Sequence, residues 1–218
     1  MSGFFITFEG IDGSGKSSHL RRVSAYLAGV GVDVVTTREP GGTAIGEQIR
    51  ALLLSNETRE ISPEAETMLY ASDRAEHVRK VILPALDGGL IVLCDRYVDS
   101  TKAFQGYGRG ISLSLITDLN RIATGGLAPD LTILLDVDPA IARARLDARA
   151  APGSNKQPVD RFDEEAYEFH RRVREGYLAL ASAEPHRFHV VDSGVGVEEA
   201  HEKVVGIVLE RTGIAAQG

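Results

Sequence analysis

The run Gly10-Ile11-Asp12-Gly13-Ser14-Gly15-Lys16-Ser17 fits the pattern G-x-x-x-x-G-K-[ST] at every fixed position, and it follows the apolar stretch Phe4-Phe5-Ile6-Thr7-Phe8. A loop of this kind holds the phosphates of a nucleoside triphosphate. Its glycines let backbone N–H groups turn inward as an anion nest, Lys16 reaches the β- and γ-phosphates, and the Ser17 hydroxyl ligates a magnesium ion. The positive end of the helix that follows adds to the attraction. The nucleotide-facing set read from the chain is Gly10, Ile11, Asp12, Gly13, Ser14, Gly15, Lys16, Ser17 and Ser18.

The metal needs a second oxygen group, normally an aspartate at the carboxyl end of a neighbouring strand. Two strands offer one: Ile91-Val92-Leu93-Cys94 ends in Asp95, and Leu131-Thr132-Ile133-Leu134-Leu135 ends in Asp136, with Asp138 beyond it. Asp95 is favoured because Arg96 follows it and places a cation beside the ligand, whereas Asp138, before Pro139, suits a helix cap. The arginines point to a second anion. Arg38 closes Thr36-Thr37, Arg74 lies in Ser72-Asp73-Arg74-Ala75-Glu76, and Arg96 closes the third strand. A kinase whose acceptor is itself a phosphate has to clamp two anions that repel each other, a task for guanidinium groups. For Arg74 taken alone, a surface ion pair with Asp73 or Glu76 explains the residue equally well.

These groups need a scaffold that gathers strand ends. Short apolar runs near 4–8, 32–36, 90–94, 131–137 and 188–191 alternate with stretches of helical periodicity, which predicts an α/β fold with a parallel sheet covered by helices. Helices are expected at 16–29, 63–86, 163–183 and 197–211, with Pro63 in a first turn and a loop opening at Gly41-Gly42. The stretch 150–159 is polar and rich in proline, glycine, serine and asparagine, so it reads as a mobile loop and a candidate lid.

Composition narrows the partners. With 218 residues the default is one domain, and 24 basic against 31 acidic side chains give a net charge of −7. That balance disfavours broad binding to nucleic acid or to anionic membrane and favours a small substrate. Cys94 is the only cysteine, set in an apolar strand, so an internal disulfide is excluded and a buried thiol is expected. No apolar run approaches a membrane span and the chain opens directly on a strand, which makes the cytoplasm the expected location.

Five blocks carry a resemblance to thymidylate kinases, the P-loop nucleoside monophosphate kinases that phosphorylate dTMP. They are F-E-G-I-D-G-S-G-K-S at the start, T-R-E-P-G-G-T at 37–43, L-Y-A-S-D-R-A-E-H-V at 69–78, D-R-Y-V-D-S-T-K-A-F-Q-G-Y-G-R-G at 95–110 and D-R-F at 160–162. They stand in family order and cover most of the chain. The resemblance implies a single P-loop kinase domain over 1–218 with a parallel five-stranded sheet and a mobile lid at about 145–161. It implies MgATP as donor, with Ser17 and Asp95 on the metal, and a homodimer packed through helices flanking the sheet. It further implies that Arg74 donates to a thymine carbonyl and that Gln105 meets the pyrimidine edge. Tyr70 would take the place of the family's phenylalanine and stack on the base, and Ser100 would line the base pocket. Arg38 and Arg96 would hold the dTMP phosphate, and Asp12 would lie near the sugar 3′-hydroxyl and the metal. Phe104 stands where the family often has tyrosine, keeping the ring that disfavours a ribose and losing the hydroxyl.

Family members differ in the source of one catalytic arginine, which comes from the P-loop in some and from the lid in others. Here Gly13 and Ser14 leave the loop no cation beyond Lys16, so the resemblance implies a lid arginine. Arg149 is the first choice over Arg145 and Arg161, with Lys16, Arg96 and Asp12 completing the catalytic set. Helix-end pairing of these arginines with Asp147, Asp160 or Asp163 is the alternative reading. The chain reads Asp160-Arg161-Phe162-Asp163-Glu164 where the family often has D-R-F-E. Two other classes fit less well. A deoxynucleoside kinase has an uncharged acceptor and no use for three arginines, and a guanine-nucleotide switch requires an N-K-x-D stretch that the chain lacks.

Overall fold

The computed structural model describes residues 3–58, 60–150, 161–162 and 165–215. Among them, five strands form one parallel sheet: β1 (Phe4–Glu9), β2 (Val34–Arg38), β3 (Ile91–Asp95), β4 (Leu131–Asp136) and β5 (Phe188–Asp192), in spatial order β2-β3-β1-β4-β5. Parallel neighbours need crossovers that cover both faces, so central strands read as continuous apolar runs. β1 is buried from Phe5 to Glu9 and β3 from Ile91 to Cys94, and the Cys94 thiol is buried as expected.

Alternation along the strands divides the core. Ile6, Phe8, Leu93 and Ile133 pack against Leu20, Val23 and Leu27 of α1 (Lys16–Gly29) and Val204 and Val208 of α9 (Val197–Thr212). On the other face Phe5, Val92 and Cys94 meet Val78, Ile82 and Ala85. Beside them a third cluster gathers Leu134, Phe104, Phe169 and Tyr177, the last two from α8 (Tyr167–Ala183).

The register brings the strand ends level. Arg38 pairs with Asp95, Phe8 with both Asp95 and Ile133, and Asp136 with Asp192. Every carboxyl end therefore opens on one edge of the sheet, where α/β proteins of this type bind ligands.

Several elements depart from expectation. Gly41-Gly42 opens only a short loop, because Thr43 caps a helix, α2 (Ala44–Leu54), its hydroxyl accepting from the Gly46 N–H at 2.9 Å. The helix expected over 63–86 is α3 (Pro63–His77), a π-helical turn at Val78–Ile82 and α4 (Leu83–Asp87). Pro84 has no N–H to donate back, and the wider turn ahead of it absorbs the missing bond. After α5 (Val98–Thr101) a second π-helical stretch runs Lys102–Gly108, where the Arg109 N–H reaches the Phe104 carbonyl at 2.9 Å. Then follow α6 (Leu113–Thr124) and α7 (Pro139–Ala150). Asp138 caps α7 through the Ala140 N–H at 2.8 Å, as its place before proline suggests. The helix expected from Asp163 begins at Tyr167; of the candidate lid loop read at 150–159, Ala150 ends α7 and 151–159, like Asp160, Asp163 and Glu164, lie outside the described residues.

Candidate active site

The loop between β1 and α1 is a nest shaped by close approaches. Gly10 and Gly13 sit at φ 138° and 83°, and a Cβ on either would come within 2.4 Å of a backbone oxygen, of Leu135 and Ala142 respectively. Lys16 is 6% exposed, with Nζ donating to the Ile11 carbonyl at 2.8 Å. Burial, with Arg96 nearby, lowers Lys16 to about 8. A triphosphate would return the charge that burial disfavours.

Ser17 donates its hydroxyl hydrogen bond to Asp95 Oδ2 at the mouth of this loop. The two residues expected on the metal are thus in contact, and their all-oxygen donor set suits a hard cation that keeps part of its water shell. Asp136, the rival carboxylate, is engaged elsewhere, accepting from Arg174 Nε at 2.7 Å and from a terminal nitrogen at 2.8 Å.

Arg96 is the hinge of the site. Successive strand side chains alternate faces, so Asp95 and Arg96 would normally point apart. Arg96 instead adopts φ 73°, in the left-handed region and the only non-glycine residue there among those described, at a cost of about 1–2 kcal/mol. Its guanidinium lies 4.8 Å from the Phe104 ring centre, donates to the Gly10 carbonyl and the Ser100 hydroxyl at 3.1 Å each, and pairs with Asp12. Burial alone would raise Asp12, but Arg96 and Lys16 outweigh it and hold the carboxyl well below its usual range.

Behind Arg96 lies a layer that the sequence did not reveal. Tyr177 OH meets Ser100 Oγ at 2.8 Å, donates to Glu9 Oε2 at 2.9 Å and stands 3.2 Å from Arg96. Glu9 also accepts from the Tyr97 N–H at 2.8 Å and the Ser100 hydroxyl at 2.6 Å. Burial, then Asp99, pushes Glu9 up to about 7 against the pull of Arg96.

An open cleft adjoins this group. Of the residues expected at dTMP, Asp12, Tyr70, Arg74, Arg96, Ser100, Phe104 and Gln105 line it. Arg38 does not; it is half exposed and grips both Glu47 oxygens at 2.9 and 3.0 Å. Arg50 of α2 lines the cleft with Glu39, Pro40, Leu54 and Phe162, none of them anticipated. The Thr43 cap and the spacing of Ile45, Ile49 and Leu53 were the signal for α2 and hence for Arg50.

Arg74 is no surface ion pair. It is 1% exposed and held by Glu39 at 2.8 Å, Asn120 at 2.7 Å and the Tyr97 carbonyl at 3.0 Å. The lid-flanking arginines separate in a similar way. Arg145 donates to the Ser193 carbonyl at 2.6 Å, and Arg161, 4% exposed, donates to the Leu53 carbonyl at 2.5 Å and pairs with Glu66 at 2.6 Å. Arg149 stands exposed in the last turn of α7. Asp147 pairs with Arg143 at 2.9 Å, and Asp160 and Asp163 lie outside the described residues.

A phosphate nest, a strand-end carboxylate and a base-sized cleft joined by one arginine define a P-loop nucleoside monophosphate kinase, an ATP-dependent phosphotransferase. The family model for thymidylate kinase matches residues 8–204. A thymidylate kinase of Solidesulfovibrio magneticus is 50% identical over 204 residues, covering 94% of this chain and 98% of that one. One of Pelobacter propionicus is 50% identical over 210 residues, covering 95% and 94%. A crystal structure of thymidylate kinase from Ehrlichia chaffeensis superposes with a TM-score of 0.77 at 36% identity, covering 95% of this chain and all of that one. The chain belongs to the thymidylate kinase family.

Proposed function

We propose that this chain transfers the γ-phosphoryl group of MgATP to dTMP, giving dTDP and ADP, and does so as one kinase domain over 1–218. The observation that carries this reading is Arg96, which touches the P-loop at Gly10, pairs with Asp12 and lines the cleft at once. A cation in that position serves an acceptor that brings its own phosphate to the donor's. Ser17 and Asp95 would hold Mg²⁺, which would offset negative charge on the donor phosphates.

The acceptor oxygen is ionised at neutral pH, so the protein needs no nucleophile or strong base. Its work is to position two anions and offset their charge. Lys16 holds the donor phosphates, with Arg96 and Arg38 on the acceptor phosphate and Asp12 by the sugar 3′-hydroxyl. Tyr70 and Phe104 enclose the base, Ser100 lines its pocket, and Arg74 and Gln105 meet its edge. Arg149, exposed in the last turn of α7, approaches the transferring group from a lid at about 145–161. Closure of that lid keeps water from the phosphoryl group.

The same reading includes a cytoplasmic homodimer acting on small molecules, with no nucleic acid or membrane as partner. Helices α2, α3 and α6 pack side by side and expose Ile45, Leu52, Met68, Leu115 and Ile122, an apolar face suited to a second copy. No helix among the described residues is long and apolar enough to cross a membrane. The test of the activity is ADP release from MgATP with dTMP, dUMP, UMP, CMP, AMP or thymidine as acceptor. Fastest turnover on dTMP with little on thymidine is expected; preference for thymidine or AMP would refute the assignment.

A further inference from the structure

Glu66 of α3 is 1% exposed, yet nothing in the reaction uses it directly. Its carboxylate meets one amide donor and two guanidinium groups from three parts of the molecule, the Arg161 contact being an ion pair. Gln105 Nε2 lies 2.7 Å from Oε1, Arg109 Nε 3.5 Å from the same oxygen, and Arg161 2.6 Å from Oε2. A carboxylate between two guanidinium groups only accepts hydrogen bonds, so the end of the Gln105 amide that faces it is the nitrogen. The amide oxygen is then the end left for the cleft, which Gln105 lines while itself only 1% exposed. A glutamine without such a partner is free to present either end.

We propose that Glu66 is a specificity-determining positioning residue. By anchoring Gln105 Nε2 it fixes the Gln105 oxygen as an acceptor at the base edge of the cleft that the donor Arg74 also lines. An acceptor beside a donor matches a ring N–H beside a carbonyl, the pattern of thymine and uracil. Cytosine presents the inverse, a ring acceptor beside an amine, and would leave acceptor facing acceptor and donor facing donor. A site whose buried polar groups are left unpaired rejects the wrong ligand by about 10⁴ to 10⁵. The inference rests on the dTMP site proposed above and adds the residue that sets its polarity.

The experiment compares kcat and KM for dTMP and dCMP in the wild type, in Glu66→Gln and in the swap Glu66→Gln with Gln105→Glu. In the single variant the new amide donates or accepts, Gln105 is no longer held, and the dTMP to dCMP preference in kcat/KM should fall at least tenfold, mainly through KM for dTMP. In the swap, a carboxylate at position 105 has acceptors at both ends while the amide at 66 supplies the donor, so the preference should return. A single variant that keeps the full preference, or a folded swap that lacks it, overturns the proposal. If the single variant does not fold, the swap alone decides. A wild-type enzyme inactive on dTMP would instead refute the site assignment, before any variant is made.

Discussion

The two ends of the acceptor cleft are held in opposite ways. At the base end, Arg74 and Gln105 are each 1% exposed and tied to buried carboxylates, Glu39 and Glu66. At the phosphate end, Arg96 is 16% exposed beside Asp12 at 28%, and Arg38, outside the cleft lining, is 52% exposed and paired with Glu47, itself 48% exposed. The base end is preorganised by pairs that the ligand leaves in place, so little ordering remains to be done on binding. The phosphate end is charged by pairs that an incoming phosphate has to compete with. Recognition of the base is thus bound up with folding, and recognition of the phosphate is separable from it.

That contrast can be broken by substitution. The largest effect is expected at Arg74→Ala, which strands Glu39 in the core. Breaking one side of a buried pair costs about 3–5 kcal/mol, read as a fall in the denaturant midpoint; a variant as stable as the wild type would contradict the picture. Next comes Arg96→Ala, expected to lower kcat/KM for dTMP by about 10²- to 10³-fold, comparable to loss of one charge-stabilising donor, in steady-state assays. Arg38→Ala should raise KM for dTMP by about tenfold and leave the denaturant midpoint nearly unmoved, because an exposed ion pair contributes about 0–1 kcal/mol. A large loss of stability there would erase the distinction between the ends.

The smallest effect sharpens the comparison through pH. Asp73 accepts from the Gly41 N–H at 2.9 Å, while its Oδ2 is buried with no hydrogen-bond partner among the described residues. Burial, with Glu39 near, pushes it up from 3.8 to about 7. The folded chain therefore holds a proton that the unfolded chain has released, and the contribution of Asp73 to stability falls as pH rises from about 4 to about 7. Asp73→Asn keeps the acceptor and cannot ionise. Its stability should gain on the wild type across that window and level off above about pH 7, as followed by thermal melts. A difference that is flat with pH would show that Asp73 is ionised in the fold.

The phosphate machinery was legible because it is local. Gly10 to Ser17 is one loop, and Asp95-Arg96 closes one apolar strand, so residue type and spacing suffice. What the sequence hid is long-range. Tyr177 reaches Glu9 across 168 positions and Gln105 reaches Glu66 across 39, and neither separation has a period that a local pattern can display. Arg50 was hidden differently: glycines at 41 and 42 suggested a loop, and the cap at Thr43 that restarts a helix outweighed them.

The wide turn at Lys102–Gly108 has a consequence for chain length. Ser100, Thr101, Phe104 and Gln105 all line the cleft, and the i→i+5 bond from Arg109 to Phe104 accommodates one residue more than an ordinary turn would. Deleting a single residue there would close the wide turn and move the side chains between the deletion and its end about 100° around the axis, off the cleft. Surface loops accept gain or loss of residues freely. This stretch should accept exchanges of residue type and refuse any change in their number.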